Sequence, residues 1–318
     1  MTGLAIRREL LHDRLRAFTR LLQGVEQGSP RAIHRTRVAA RRLRELLPIL
    51  EIGQAECRRL GRALRDAMRQ LGVVRELDVL GAAVADVIAG RPATPLDESP
   101  PATSQGSRAL VYLAARLRER RTEAFDAAIE NRLPAELRRI ARRLARVDAD
   151  LAQSNRHETR HWQWAVQARV ANRATRLRQT LEDAGPVYSL RPLHQVRIAV
   201  KKLRYALELA RAVSETTQAN DLRRLRTTQT LLGQLRDTQS LVAATREAQA
   251  TVTKEAIWVS TELDGFVSEW EDQCRVLHAR YLKGVPELLV LCDRLAAVTD
   301  ESRSPRRRAV TLRRVAIR

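Results

Sequence analysis

His34-Arg35-Thr36-Arg37-Val38-Ala39-Ala40-Arg41-Arg42-Leu43-Arg44 is the stretch whose period decides the fold. At 3.6 residues per turn, His34, Arg37, Arg41 and Arg44 follow one another at spacings of three, four and three, so they share one face of a helix. Ala39, Ala40, Leu43, Leu47 and Leu50 take the opposite side, which suits a core. The same pattern returns as His194-Gln195-Val196-Arg197-Ile198-Ala199-Val200-Lys201-Lys202-Leu203-Arg204, backed by Leu207. Each stripe extends about 15 Å at 1.5 Å per residue, a length that suits several phosphates in a row.

A second block is repeated further on. Leu64-Arg65 and Leu71-Gly72-x-Val74-Arg75-Glu76 match Leu225-Arg226 and Leu232-Gly233-x-Leu235-Arg236-Asp237. The register slips by one residue between the blocks, as a duplicated helical hairpin with a longer turn would require. Working outward, helical periodicity predicts helices over about 32–52, 56–87, 108–131 and 134–153. It predicts others over 159–183, 192–214, 219–249, 257–282 and 286–297. No segment alternates like a strand. The class is all-α, with two halves, about 1–153 and 157–300, packed as paired helical bundles. A Pro/Ser/Thr/Gly-rich loop over 90–107 and a basic tail over 301–318, too poor in apolar residues to fold alone, complete the chain.

The charge pattern points to function. Solvated helix faces interleave opposite signs, yet no acid stands between Arg31 and Arg44 or between His194 and Arg204. Like charges stacked at these spacings cost stability. They also sit in the first turns, after Ser29-Pro30 in one copy and Pro192 in the other, where cations oppose the helix dipole and a bound anion is favoured. The arrangement is poor for the free protein and good for an anion complex.

Composition agrees. The 318 residues carry a formal charge of +21, with 44% hydrophobic and 3% aromatic side chains. That is enough apolar residue for a core, and an excess of charge that selects polyanionic partners. Apart from Lys201, Lys202, Lys254 and Lys283, every fixed cation is arginine. Its planar fork pairs two donors with two phosphate oxygens.

The two His-x-x-Arg-x-x-x-(Arg/Lys)-(Arg/Lys)-Leu-Arg helices, with the Leu-Gly-x-x-Arg-(Asp/Glu) turns, resemble the signature of the CHAD family, the conserved histidine α-helical domain. The resemblance runs in duplicate and in order up to about residue 300. It implies two four-helix bundles related by an internal pseudo-twofold, their basic helices facing a shared groove. It also implies inorganic polyphosphate as ligand and association with polyphosphate granules. Carried over by position, the binding residues are His34, Arg37, Arg41, Arg42 and Arg44, with His194, Arg197, Lys201, Lys202 and Arg204. Arg75 and Arg236 match the second block, with Arg65 and Arg226 beside them. Glu76 stands where the family prefers Asp, and Gln239 stands where the first copy has Asp78.

Other motifs are weaker. His157-Glu158-Thr159-Arg160-His161 fits the zinc-protease pattern, but Arg160 lies inside it, polar Asn155-Arg156 precede it, and no third ligand follows. Phosphatase, nucleotide-binding and hydrolase motifs are missing, so the expectation is a binding protein, not an enzyme, without cofactor or metal. Nucleic acid is the alternative partner, since its backbone is also a phosphate polymer. Against it, stacking aromatics are few, and Trp162, Trp164, Trp258 and Trp270 are expected in the core. Cys57, Cys274 and Cys292 show no metal-ligand spacing and fit a reducing compartment. No apolar leader and no membrane-length apolar stretch is apparent, so the expected location is the cytoplasm. No helix pairs a basic face with an aromatic one, so no membrane partner is expected.

Overall fold

The structure is a computed structural model that describes residues 3–90, 108–153, 161–214, 219–252 and 257–302. Among them the regular structure is helical throughout: α1 (Gly3–Thr19), α2 (Leu22–Glu26), α3 (Pro30–Leu46), α4 (Gln54–Ile88), α5 (Arg108–Glu130), α6 (Leu133–Gln153), α7 (His161–Ala184), α8 (Leu190–Ser214), α9 (Ala219–Gln249) and α10 (Ile257–Ser302). The all-α class read from periodicity is the class observed. Residues 157–160 of the zinc-like motif, most of the 90–107 loop and the chain from 303 onward lie outside the described residues.

The chain forms two compact units, residues 1–157 with 235–274, and residues 158–234 with 275–318. α9 and α10 each give one half to each unit, so the units and the repeat halves are different divisions of the chain. In the first unit, α3 packs against α1, α2 and α4, and α6 packs against α1 and α4. Leu11, Phe18, Ile33, Leu43, Leu47, Leu60 and Leu64 are buried there, each within a few per cent of full burial. A second apolar cluster joins Leu80 and Val84 of α4, Leu110 and Leu113 of α5, Leu241 of α9, and Leu263, Phe266 and Trp270 of α10. Burying each large apolar side chain contributes about 1.5–3 kcal/mol. Four segments make the second unit: α7, α8 and the adjoining halves of α9 and α10. Their buried residues include Leu177, Val200, Leu203, Leu225, Tyr281 and Leu291.

Helix starts follow local chemistry. Ser29 caps α3, its Oγ accepting from the Ala32 N–H at 3.4 Å, and Pro30 takes the first helical position. In the second copy the proline is not first. α8 begins at Leu190, and the Leu193 N–H already reaches the Ser189 carbonyl at 3.3 Å, so Pro192 is the third residue. Its missing N–H would have had no partner within the first turn in any case.

Two further expectations are corrected. The break expected around Pro286 is absent, and α10 runs through it. Pro286 is exposed, and the helix continues on both sides of it despite the missing N–H. The tryptophans are not all core. Trp270 is 4% exposed and stacks on Phe266, whereas Trp164 is 49% and Trp258 is 41% exposed. Arg108 covers the Trp258 ring at 5.7 Å, which stabilises an indole at the surface.

Candidate anion-binding site

In the first unit the basic face of α3 is set by its own period and completed by α4. The apolar side, Ala39, Ala40, Leu43 and Leu47, is buried as expected. That fixes the helix rotation and turns His34, Arg37, Arg41 and Arg44 to the other side. α4 runs antiparallel beside it, and three proximities give the register. Arg75 is among the charges acting on His34. Arg37 crosses to α4, its Nη1 donating to the Met68 carbonyl at 2.5 Å. Arg44 shares a cleft with Arg58, Arg62 and Arg65.

Gly72 explains how Arg37 lies so close. A Cβ at that position would stand 2.8 Å from Arg37 Nη1. The glycine of the repeated Leu-Gly block is therefore a crossing point for a guanidinium in this copy. At Gly233 a Cβ would meet nothing within 4 Å.

The start of α3 is pinned from another direction. Arg121 of α5 donates to buried Asp78 at 2.9 Å, and also to the Gly28 carbonyl. Gly28 adopts φ +68° with the Phe125 ring 3.2 Å from where a Cβ would be, so only glycine fits. Asp78 thus holds, through Arg121, the turn that enters the basic helix. Gln239 of the second copy carries no such charge.

His34 reports the local potential. Partial burial of the ring, then the charges of Arg75, Arg41, Arg37 and Arg35, hold its pKa below the ordinary value of 6.5. Cations from two helices converge on one imidazole.

Of the residues predicted from sequence, His34, Arg37, Arg41, Arg44, Arg65 and Arg75 come together along the α3–α4 pair. Arg42 does not. One residue beyond Arg41, it is turned about 100° around the helix axis, and its carbonyl accepts from Arg14 of α1 at 2.8 Å. Arg236 also lies in the first unit, paired with Glu76 at 3.2 Å, and the same Glu76 oxygen accepts from Ser240. In the second unit His194, Arg197, Lys201 and Arg204 line α8, with Lys202 turned aside like Arg42. There Glu208 stands between Arg204, at 2.7 Å, and Arg226 of α9, at 3.6 Å.

Arg58 and Arg62 were missed because they precede the repeated Leu-Arg block as it was aligned, although Arg62 falls in register with Arg223. Their spacing of four and then three to Arg65 puts them on one face of α4, and that period was legible.

Fold and site together define an all-helical protein with a cationic helix-pair face. The family model described as CHAD domain matches residues 9–246. The chain belongs to the CHAD family. Among solved structures it is similar to the crystal structure of the CHAD domain from the plant Ricinus communis, at 21% identity and a TM-score of 0.56, covering 90% of this chain and 92% of that one. It is also similar to PptA from Streptomyces chartreusis, at 19% identity and a TM-score of 0.60, covering 89% and 98%. At such identities the likeness is one of fold. No curated protein matches the chain.

Proposed function

We propose that the protein binds inorganic polyphosphate along the basic faces of α3 and α8, without chemically altering it. One observation carries this reading: the basic face of α3 meets further arginines on α4, with Arg44, Arg58, Arg62 and Arg65 lining one cleft and Arg75 among the charges acting on His34. Like charges gathered this way cost stability in the free protein and favour association with a polyanion. Membership of the CHAD family, whose signature the two helices match, supports polyphosphate over other anions. The arrays hold phosphate oxygens through forked donors but offer no activated nucleophile, so binding without turnover is the reading they support. Among the described residues no helix is long and apolar enough to cross a membrane. Residence in the cytoplasm at polyphosphate granules belongs to the same proposal.

Competition decides it. Long-chain polyphosphate should displace duplex DNA and RNA at physiological salt, with affinity falling steeply as salt rises, because neutralising several phosphates releases their counterions. DNA binding at least as tight at every salt concentration would replace this reading with nonspecific nucleic-acid binding. Polyphosphate chain length should be unchanged after long incubation, with or without divalent metals.

A further inference from the structure

Beyond the repeated motif, the α3–α4 face continues into a cleft of about 340 Å³ lined by Arg44, Leu47, Pro48, Cys57, Arg58, Gly61, Arg62 and Arg65. Four arginines and no carboxylate line it. The acids on this stretch of α4 are engaged elsewhere: Glu56 with Arg143 at 2.9 Å, and Asp66 with Arg69 at 3.2 Å. Arg58 meets only a neutral oxygen among its hydrogen bonds in the structure, the Gln54 amide at 3.1 Å. Gly61 opens onto the cleft, with nothing within 4 Å of where a Cβ would stand, and Pro48 lies in the turn that follows α3.

We propose that this cleft is a separate phosphate subsite, in which Arg58 and Arg62 join Arg44 and Arg65 to hold the part of a polyphosphate chain that runs past His34, Arg37 and Arg41. It rests on the polyphosphate reading and extends it. From Arg75 to Arg58 the α4 side of the track spans about 25 Å, against about 15 Å for the α3 stripe alone. The subsite therefore selects for longer chains, which can fill both segments at once. A chain held in two places gains by effective concentration, so losing one segment costs affinity without abolishing it.

Cys57 gives a direct probe, because it is partly exposed in the cleft while Cys274 and Cys292 are buried. In the wild-type protein, long-chain polyphosphate should slow modification of Cys57 by the neutral reagent N-ethylmaleimide several-fold. Arg58→Gln/Arg62→Gln should weaken long-chain binding about tenfold and flatten the logarithmic salt dependence by about 1.4, at about 0.7 per phosphate contact. Arg59→Gln/Arg69→Gln removes the same charge from α4 outside the cleft and should change affinity less than twofold. Wild-type binding that leaves the Cys57 rate unchanged, or equal losses in the two double variants, would overturn the subsite while the polyphosphate reading stands. A wild-type protein that does not bind long-chain polyphosphate at all would remove both.

Discussion

α3 and α8 carry the same basic pattern and meet different surroundings. Along α3 the neighbouring helix adds cations: Arg75 near His34, and Arg58, Arg62 and Arg65 near Arg44. Along α8 an acid answers, since Glu208 contacts both Arg204 and Arg226. Its counterpart in the first copy, one turn after Arg44, is Pro48, which bears no charge. A duplicated motif is therefore not a duplicated electrostatic site. In the first copy helix packing brings further cations beside the stripe, and in the second Glu208 of the same helix pairs with Arg204 and also reaches Arg226 of α9.

The largest test of this contrast removes three cations from each copy in turn. Arg37→Gln/Arg41→Gln/Arg44→Gln should weaken polyphosphate binding about a hundredfold, equivalent to about 2.7 kcal/mol in all. Arg197→Gln/Lys201→Gln/Arg204→Gln should cost nearer tenfold. Titrations at matched salt give the comparison, and equal losses would make the copies equivalent.

Glu208→Gln should act in the opposite sense. It frees Arg204 and Arg226, so affinity rises about fivefold, equivalent to about 1 kcal/mol, and the salt dependence steepens. Pro48→Glu should bring the first copy closer to the second and weaken binding. Unchanged affinity in both variants would mean that these acids do not compete with the ligand.

Protonation gives a smaller effect. A polyanion beside His34 raises a pKa that partial burial and then the neighbouring arginines hold below 6.5, so binding takes up a proton, and affinity rises as pH falls through the range below that value. If the ligand raises that pKa by one pH unit, the gain in affinity is about tenfold at most. His34→Gln should remove more of this rise than His194→Gln, as read by titration between about pH 7 and pH 5. A dependence that survives both substitutions would belong to other groups.

The smallest test is at the glycines. Gly72→Ala should raise the melting temperature, since alanine favours helix by about 1 kcal/mol. It should also weaken binding about twofold to threefold, a few tenths of a kcal/mol, by displacing Arg37. Gly233→Ala has open space and should only stabilise.

Much of this protein could be read from its residues. The helical class follows from a 3.6-residue period that local backbone geometry enforces wherever the chain goes, and it describes 30–46 and 190–214 alike. The cap at Ser29 follows from a side chain three residues from its donor. Pro286 misled because sequence shows the missing N–H, while only the fold shows that Pro286 is exposed within a helix that continues past it. Trp164 and Trp258 misled because hydrophobicity does not say whether a helix face finds a neighbour.

The sequence by itself determined where the cations sit on each helix, because side chains on one helix are related by a fixed rotation per residue. It also determined that no acid within either stripe offsets them. The pairing of Arg204 with Glu208, four residues on, is also legible there, but only the tertiary structure decided what meets the cations from other helices. Glu208 reaches Arg226, Glu76 reaches Arg236, and Arg58 and Arg62 line the same cleft as Arg44, all through helix packing. Charges on different helices interact according to distance across the interface, and that distance is set by how the apolar faces interlock, which no period along a single helix contains.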